Sequence, residues 1–333
     1  MKNPTIKKGI SLEIPKKLKS LKLGESYAII TDSKVKKLYG GKLLWNLKKA
    51  GLNAEIFSFP YGEKSKNLQT VENLENQMIE KGFDRSSCII ALGGGVVGDI
   101  AGFVASTFMR GIPYVQVPTT LLAMVDSSIG GKTGVNLKHG KNLIGTFHQP
   151  SHIFTDPIFL KTLSTKHLRN GLAECIKHGI IQSKPLFNFI DKNIEKILKL
   201  DPQTIVKLIK DASKIKTIIV KKDKKEKGLR QILNYGHTFG HAVEKQSNYT
   251  LLHGFAISIG MILANQESVR QGLLSQEDAS CIKKLLKKAG LPVYTMHKPT
   301  LKDLSKDKKK HSNHVNLILP TKIGEVKICP QKV

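Results

Sequence analysis

Three histidines and a glutamate stand in segments that otherwise read as apolar helix, and together they could hold a metal. In Gly171–His178 (GLAECIKH), Glu174 and Lys177 lie three apart and share a helix face. In His237–His241 (HTFGH), two histidines lie four apart and also share a face, and His253 follows in Leu252-His253-Gly254. Imidazole nitrogen and carboxylate oxygen suit zinc, and a catalytic zinc keeps one position open for substrate. Any one of these histidines, taken alone, reads as an ordinary core or surface residue. Spacing favours His237 with His241 as a ligand pair and does not rank His253 against His241. Thiolates do not enter the donor set. Cys88, Cys175, Cys281 and Cys329 are far apart and form no C-x-x-C pair, which also argues against a disulfide framework.

Two other stretches could seat phosphate. Gly93-Gly94-Gly95-Val96-Val97-Gly98-Asp99 follows a strand-like run and opens a helix-like one, and Gly93, Gly95 and Gly98 satisfy G-x-G-x-x-G. Bare backbone there can approach a pyrophosphate whose charge rests on helix N–H groups. The motif falls at about the third strand, however, and no acidic residue ends the next strand near Val117. A tight turn with close packing would use the same glycines. In Asp126–Gly134 (DSSIGGKTG), Asp126 stands where the first glycine of G-x-x-x-x-G-K-[ST] belongs. Small residues beside Lys132 make an anion cradle, or else a surface loop.

The elements that position these residues change character along the 333-residue chain. Ser26–Thr31, Ala54–Phe59, Cys88–Leu92 and Tyr114–Val117 read as strands, with helical stretches around Val35–Ala50 and Leu68–Gly82 and another after Leu92. Such alternation predicts a largely parallel sheet covered by helices. From about Leu163 to Leu291 apolar positions recur at three and four residues, which predicts helices without clear strands. A hairpin at Val315–Leu319 and Glu325–Cys329 turns near Gly324. The expected division is an α/β domain over residues 1–155 and a helical domain over 156–333.

The formal charge of +28 raises a nucleic-acid reading. The basic residues are almost all lysine, with arginine only at positions 85, 110, 169, 230 and 270, and no aromatic platforms sit among them. A solvated lysine-rich surface that attracts small anions is the better reading, with no nucleic-acid partner. No apolar run reaches the roughly 18 residues of a membrane span, and the first residues lack the apolar core of a signal peptide. The expectation is a cytoplasmic protein with no membrane partner.

Read together, the stretches GGGVVGDIAGFVAS, MRGIPYVQVPTTLLAMVDSSIGGKTGVN, KNLIGTFHQP, GLAECIKHG, GLRQILNYGHTFGHAVE and HGFAISIGM resemble the 3-dehydroquinate synthase family, from about Asp32 to Gly324. The resemblance implies an N-terminal Rossmann-like α/β NAD domain, a C-terminal helical domain and an active site in the cleft between. It implies a homodimer that converts 3-deoxy-D-arabino-heptulosonate 7-phosphate, a small anionic sugar-acid phosphate, to 3-dehydroquinate. The steps would be transient oxidation by NAD, phosphate elimination, re-reduction and intramolecular aldol closure. A related cyclase acting on a neutral sugar phosphate is the alternative.

Residue roles follow from the same resemblance. Glu174, His237 and His253 match the zinc ligands, a site that Co2+ can also occupy, and His241 then faces substrate. Asp32, Glu63, Lys66, Gly94, Gly95, Val96, Asp99, Thr119, Thr120, Phe159 and Thr162 match NAD contacts. Asp126, Lys132 and Lys141 match polar positions lining the cofactor and substrate site. Lys132, Asn142, Asn234, His241 and Arg110 from the partner subunit resemble a phosphate pocket. Lys216 and Arg230 resemble a carboxylate clamp, Lys177 lies near the reacting hydroxyls, and Lys308 or Lys309 closes the phosphate side. Four positions depart from the family pattern: Phe255 where Glu is usual, Lys224 where Glu is usual, Asn170 for a small residue and Lys34 for Asn. Losing a carboxylate at 255 removes a candidate partner of a zinc ligand.

Overall fold

The computed structural model describes residues 3–295 and 314–332, so Lys308 and Lys309 lie outside the described residues. The chain forms two compact units, Met1–Leu163 and Ser164–Val333.

The first unit is a six-stranded parallel sheet in the order β1-β8-β5-β4-β2-β3. Its strands are β1 (Thr5–Ile6), β2 (Ser26–Asp32), β3 (Asn53–Phe59), β4 (Ser87–Gly93), β5 (Tyr114–Pro118) and β8 (His152–Thr155). The helices are α1 (Ile10–Leu21), α2 (Ser33–Val35), α3 (Gly41–Lys49), α4 (Leu68–Glu80) and α5 (Gly95–Thr107). A π turn over Lys36–Gly40 joins α2 to α3, so the helical stretch expected around Val35–Ala50 is continuous but irregular. β4 is buried along its whole length, as a central strand covered on both faces must be. The side chains of Ile30, Phe57, Leu74, Ile89, Val97 and Val104 pack into one core.

Three features of this unit carry weak sequence patterns. β1 is two residues long, and α1 follows it with a proline inside. Asp156 holds α1 in place: its buried carboxylate accepts from Gly9 N, Ser11 N and Ser11 Oγ. Residues read as an anion cradle or loop instead enter an antiparallel hairpin, β6 (Lys132–Leu137) and β7 (Gly140–Phe147). The short 3₁₀ helix Pro157–Thr162 belongs to this unit, beyond the division expected at residue 155. The Tyr39 ring packs on Phe159 at 4.6 Å, and the Tyr39 hydroxyl donates to the Phe159 carbonyl.

The second unit is helical and ends in a hairpin. It comprises α6 (Thr165–Gln182), α7 (Lys184–Leu198), α8 (Pro202–Lys222), α9 (His237–Gln246), α10 (His253–Arg270) and α11 (Gln276–Lys288). Strands β9 (His314–Lys322) and β10 (Glu325–Lys332) pair antiparallel. Gly324 turns the hairpin at φ +102°, a conformation that favours glycine, and its N–H donates to the Ile180 carbonyl of α6. α10 is buried nearly all round, and α9 lies against it through glycines. A Cβ added at Gly260 would stand 2.0 Å from Gly236 O and 2.6 Å from Gly240 N. That backbone contact sets how closely the two histidine-bearing helices approach.

Candidate active site

In the first unit most candidate residues follow the carboxyl ends of the parallel strands, whereas Arg110, between α5 and β5, precedes a strand and lies toward the opposite end of the sheet. The chain leaves β2 toward β3 on one side and leaves β4 toward β5 on the other, so the order reverses between β2 and β4. Ligands of open α/β sheets bind at such a switch point. Asp32 ends β2 there and caps the next turn, its Oδ1 accepting from Lys34 N and Val35 N at 2.9 Å. Gly94, Gly95 and Val96 follow β4, and Gly94 opens α5 without a side-chain cap. The glycines of the motif are also packing glycines: a Cβ at Gly93 would strike Val97, and one at Gly98 would strike Gln116. The packing reading of the motif therefore holds at this turn. Thr119 N donates to Gly93 O, and Thr120 caps the following turn through Ala123 N.

A polar network joins this edge to the hairpin. Lys66, buried, places Nζ 2.5 Å from both Asp99 Oδ2 and Asn142 Oδ1. Asn142 sits in the left-handed region at φ +56°, and its N–H donates to Asn136 Oδ1 at 2.9 Å. Asn136 Nδ2 in turn donates to Glu63 Oε1, and its N–H to Lys66 O. Asn136 went unnoticed in the sequence because a lone Asn ending GKTGVN carries no spacing signal. Thr162 meets Tyr39 through its hydroxyl. Lys132 and Arg110 are exposed and Asp126 and Lys141 half-buried. Lys34 lies over the Tyr61 ring at 5.2 Å, so this departure leaves the backbone bond to Asp32 intact.

In the second unit Glu174, His237 and His253 converge. Their donor atoms lie within 4.8 Å of one another. Glu174 is fully buried on α6, and Lys177, one turn on and 1% exposed, pairs with its Oε2. Glu174 Oε1 faces His237 Nε2 at 3.8 Å and His253 Nε2 at 3.7 Å and accepts no hydrogen bond. These distances are too long for hydrogen bonds. They are close to the separation of ligands that share one zinc at about 2.0–2.2 Å each. A buried carboxylate oxygen facing two imidazole nitrogens is costly unless a cation lies among them. His237 Nδ1 lies 3.2 Å from the Tyr235 carbonyl; an Nδ1–H there leaves the Nε2 lone pair for a metal. Burial first, then the charge of Lys177 and the neighbouring His253 and His241, holds the His237 pKa well below its usual value. The ring stays neutral near pH 7, the form that ligates. The donor set thus fits a zinc-type ion. His241 lies edge-on to His237, with ring centroids 5.4 Å apart, and forms a second grouping with Glu244 and His253.

Lys216 on α8 and Arg230 are buried. Arg230 NH1 donates to the Lys224 carbonyl at 2.8 Å, so residue 224 serves through its backbone whatever its side chain. Asp223 shapes that loop by accepting from the N–H groups of Lys227, Gly228 and Arg230. Asn234 Nδ2 donates to Glu226 Oε1. Asn170 Oδ1 accepts from Gly254 N at 2.7 Å and so caps α10, whose own N-cap residue, Leu252, has no side-chain cap bond. Phe255 is half-buried.

A parallel α/β unit followed by a helical unit is an architecture shared with solved NAD- and metal-bound cyclases. The structure of 2-epi-5-epi-valiolone synthase from Streptomyces hygroscopicus subsp. jinggangensis 5008, with NAD+ and Zn2+ bound, matches with a TM-score of 0.91 at 29% identity, covering 100% of this chain and 93% of that one. A 2-deoxy-scyllo-inosose synthase complexed with carbaglucose-6-phosphate, NAD+ and Co2+ matches with a TM-score of 0.89 at 28% identity, covering 98% and 93%. An iron-containing alcohol dehydrogenase shares the fold, with a TM-score of 0.67 at 17% identity over 93% of this chain and 92% of that one.

Within that class, residues 56–170 match the 3-dehydroquinate synthase N-terminal family model and residues 171–310 the C-terminal one. The 3-dehydroquinate synthase of Prochlorococcus marinus (strain MIT 9515) is 46% identical, covering 97% of this chain and 92% of that protein. That of Thermodesulfovibrio yellowstonii is 45% identical, covering 95% and 89%. The chain belongs to the 3-dehydroquinate synthase family.

Proposed function

We propose that the chain is a cytoplasmic, homodimeric, carbon–oxygen lyase that converts 3-deoxy-D-arabino-heptulosonate 7-phosphate to 3-dehydroquinate and phosphate, using NAD and Zn2+, with Co2+ able to replace zinc. The observation that carries this reading is the convergence of Glu174, His237 and His253 on one point in a chain of this family. When bound, zinc polarises a substrate hydroxyl and NAD takes up and returns a hydride.

The protein's own residues supply position and charge. Buried Lys177 offers an ammonium group beside Glu174 for a substrate hydroxyl. Lys216 and Arg230 are assigned to the substrate carboxylate, which an arginine can hold bidentately. Asn234 and His241 in the second unit, and Lys132 and Asn142 in the first, are assigned to phosphate, along with Arg110 of a second copy. The residues at the β2/β4 switch point, with Glu63, Lys66, Asp99, Phe159 and Thr162, are assigned to NAD, and Asp126 and Lys141 to the lining it shares with substrate. Much of the rate then comes from orientation rather than from new covalent chemistry.

Phosphate release from the heptulosonate phosphate by zinc-loaded protein with NAD tests the reading; release should cease with chelator and return with zinc. No release under those conditions overturns it. The likeness to cyclase structures supports a second reading, turnover of a neutral sugar phosphate. Two buried cations assigned to a carboxylate favour the acid, and a preference for the neutral substrate in a direct comparison would reverse that.

A further inference from the structure

His253 is the one candidate ligand whose two ring nitrogens both face carboxylates. Nε2 points at Glu174 Oε1, 3.7 Å away, and Nδ1 at Glu244 Oε1, 3.5 Å away. Glu244 is 3% exposed, and a carboxylate so buried is retained at a cost unless it answers a positive or proton-donating group. It lies on α9 three residues after His241 and seven after His237, on the same face of the helix. The close approach of α9 and α10 at Gly236, Gly240 and Gly260 brings that face to the first residue of α10. Phe255, two residues on from His253, has no acceptor to offer the ring.

We propose that Glu244 is a positioning residue of the metal centre: its carboxylate accepts from the Nδ1–H of His253 and so fixes the tautomer that presents the Nε2 lone pair to the ion. Without that acceptor the proton can sit on Nε2, aimed at Glu174, and the ring is then unable to ligate. A carboxylate on the far nitrogen of a ligating histidine also raises its basicity. This inference rests on Glu174, His237 and His253 being the metal-binding set.

The test is zinc affinity without substrate or NAD, by competition with a chromogenic chelator, together with the visible spectrum of the cobalt-loaded protein. Glu244→Ala should weaken zinc about 10–100-fold. Glu244→Gln keeps an oxygen acceptor without the charge and should recover part of that loss, with the cobalt band of the parent protein preserved. If Ala and Gln variants both lie within twofold of the parent, the inference is overturned. If Gln loses as much as Ala and the cobalt band changes, Glu244 is itself a ligand, and the positioning role is overturned in that way. Should Glu244→Ala fail to fold, the Gln variant alone decides: an affinity below the parent with an unchanged band supports the role, and parent-like affinity overturns it. A parent protein that binds no zinc refutes the metal reading as well, so the two failures are distinguishable.

Discussion

Replacing Gly260 by alanine should separate α9 from α10, destabilising the fold and loosening the metal centre together. The added methyl would meet Gly236 O at 2.0 Å, Gly240 N at 2.6 Å and Gly236 C at 3.0 Å, all backbone atoms. No side chain can rotate away, so the helices must part by roughly an ångström to restore ordinary contact. Overpacking of this kind costs about 1–3 kcal/mol, and an all-backbone clash belongs at the upper end. Alanine in a helix interior returns about 1 kcal/mol, leaving a net loss near 2 kcal/mol. For a unit of this size that lowers the melting temperature by roughly 4–8 °C. Ligand distances in a metal site tolerate only about 0.2 Å, and His237 and His253 start the two helices that would part. Zinc affinity should therefore fall at least about tenfold. Paired melts with and without zinc, plus chelator competition, measure both effects. Gly41→Ala is the control: it begins α3, has an ordinary helical φ of −60° and nothing within 4 Å of the added Cβ, so it should be neutral or slightly stabilising. An unchanged melting temperature and zinc affinity for Gly260→Ala would refute the argument.

Three further substitutions test other parts of the molecule. Asn170→Ala removes the acceptor for the buried Gly254 N–H; it should cost about 1–3 kcal/mol in a chemical denaturation midpoint and weaken zinc several-fold by freeing the start of α10. Lys66→Met should raise the KM for NAD and for substrate together, because it releases Asp99 and Asn142 at once; a change confined to one of them would show that the network does not couple the two residues. Asp223 has its pKa lowered from 3.8, chiefly by the Gly228 N–H and also by those of Arg230 and Lys227. A carboxylate with a depressed folded pKa binds fewer protons than in the unfolded chain, so its contribution is present above about pH 3.8 and lost as pH falls through the lowered value. Asp223→Asn should therefore lower the melting temperature in the neutral region, converge with the parent as pH falls below about 4, and so flatten the acid limb.

Period and punctuation made most of the architecture readable. The runs at β2, β3, β4 and β5 are apolar enough to be strands under any packing, and glycine at 324 marks the last turn. β6 and β7 were not readable, because a two-stranded ribbon with one exposed face and internal glycines has little apolar alternation to display. β1 is too short for any period, and what holds α1 is Asp156, 145 residues or more from its partners Ser11 and Gly9.

The donor cluster divides along the same line. Spacing within one helix makes His237, His241 and Glu244 a single face, and Glu244 could have been found by extending the count one more turn. Spacing cannot say which histidine shares an ion with Glu174, because that depends on how α9 crosses α10. The crossing is set by Gly236, Gly240 and Gly260, whose information lies in the atoms they lack. Family motifs favour His253 over His241 as the partner of Glu174, and the positions of the two rings are compatible with that choice. From the first position of α10, His253 reaches Glu174 with one nitrogen and Glu244 with the other. His241, one turn into α9, falls in the grouping with Glu244 and His253, while Glu174 groups with His237 and His253.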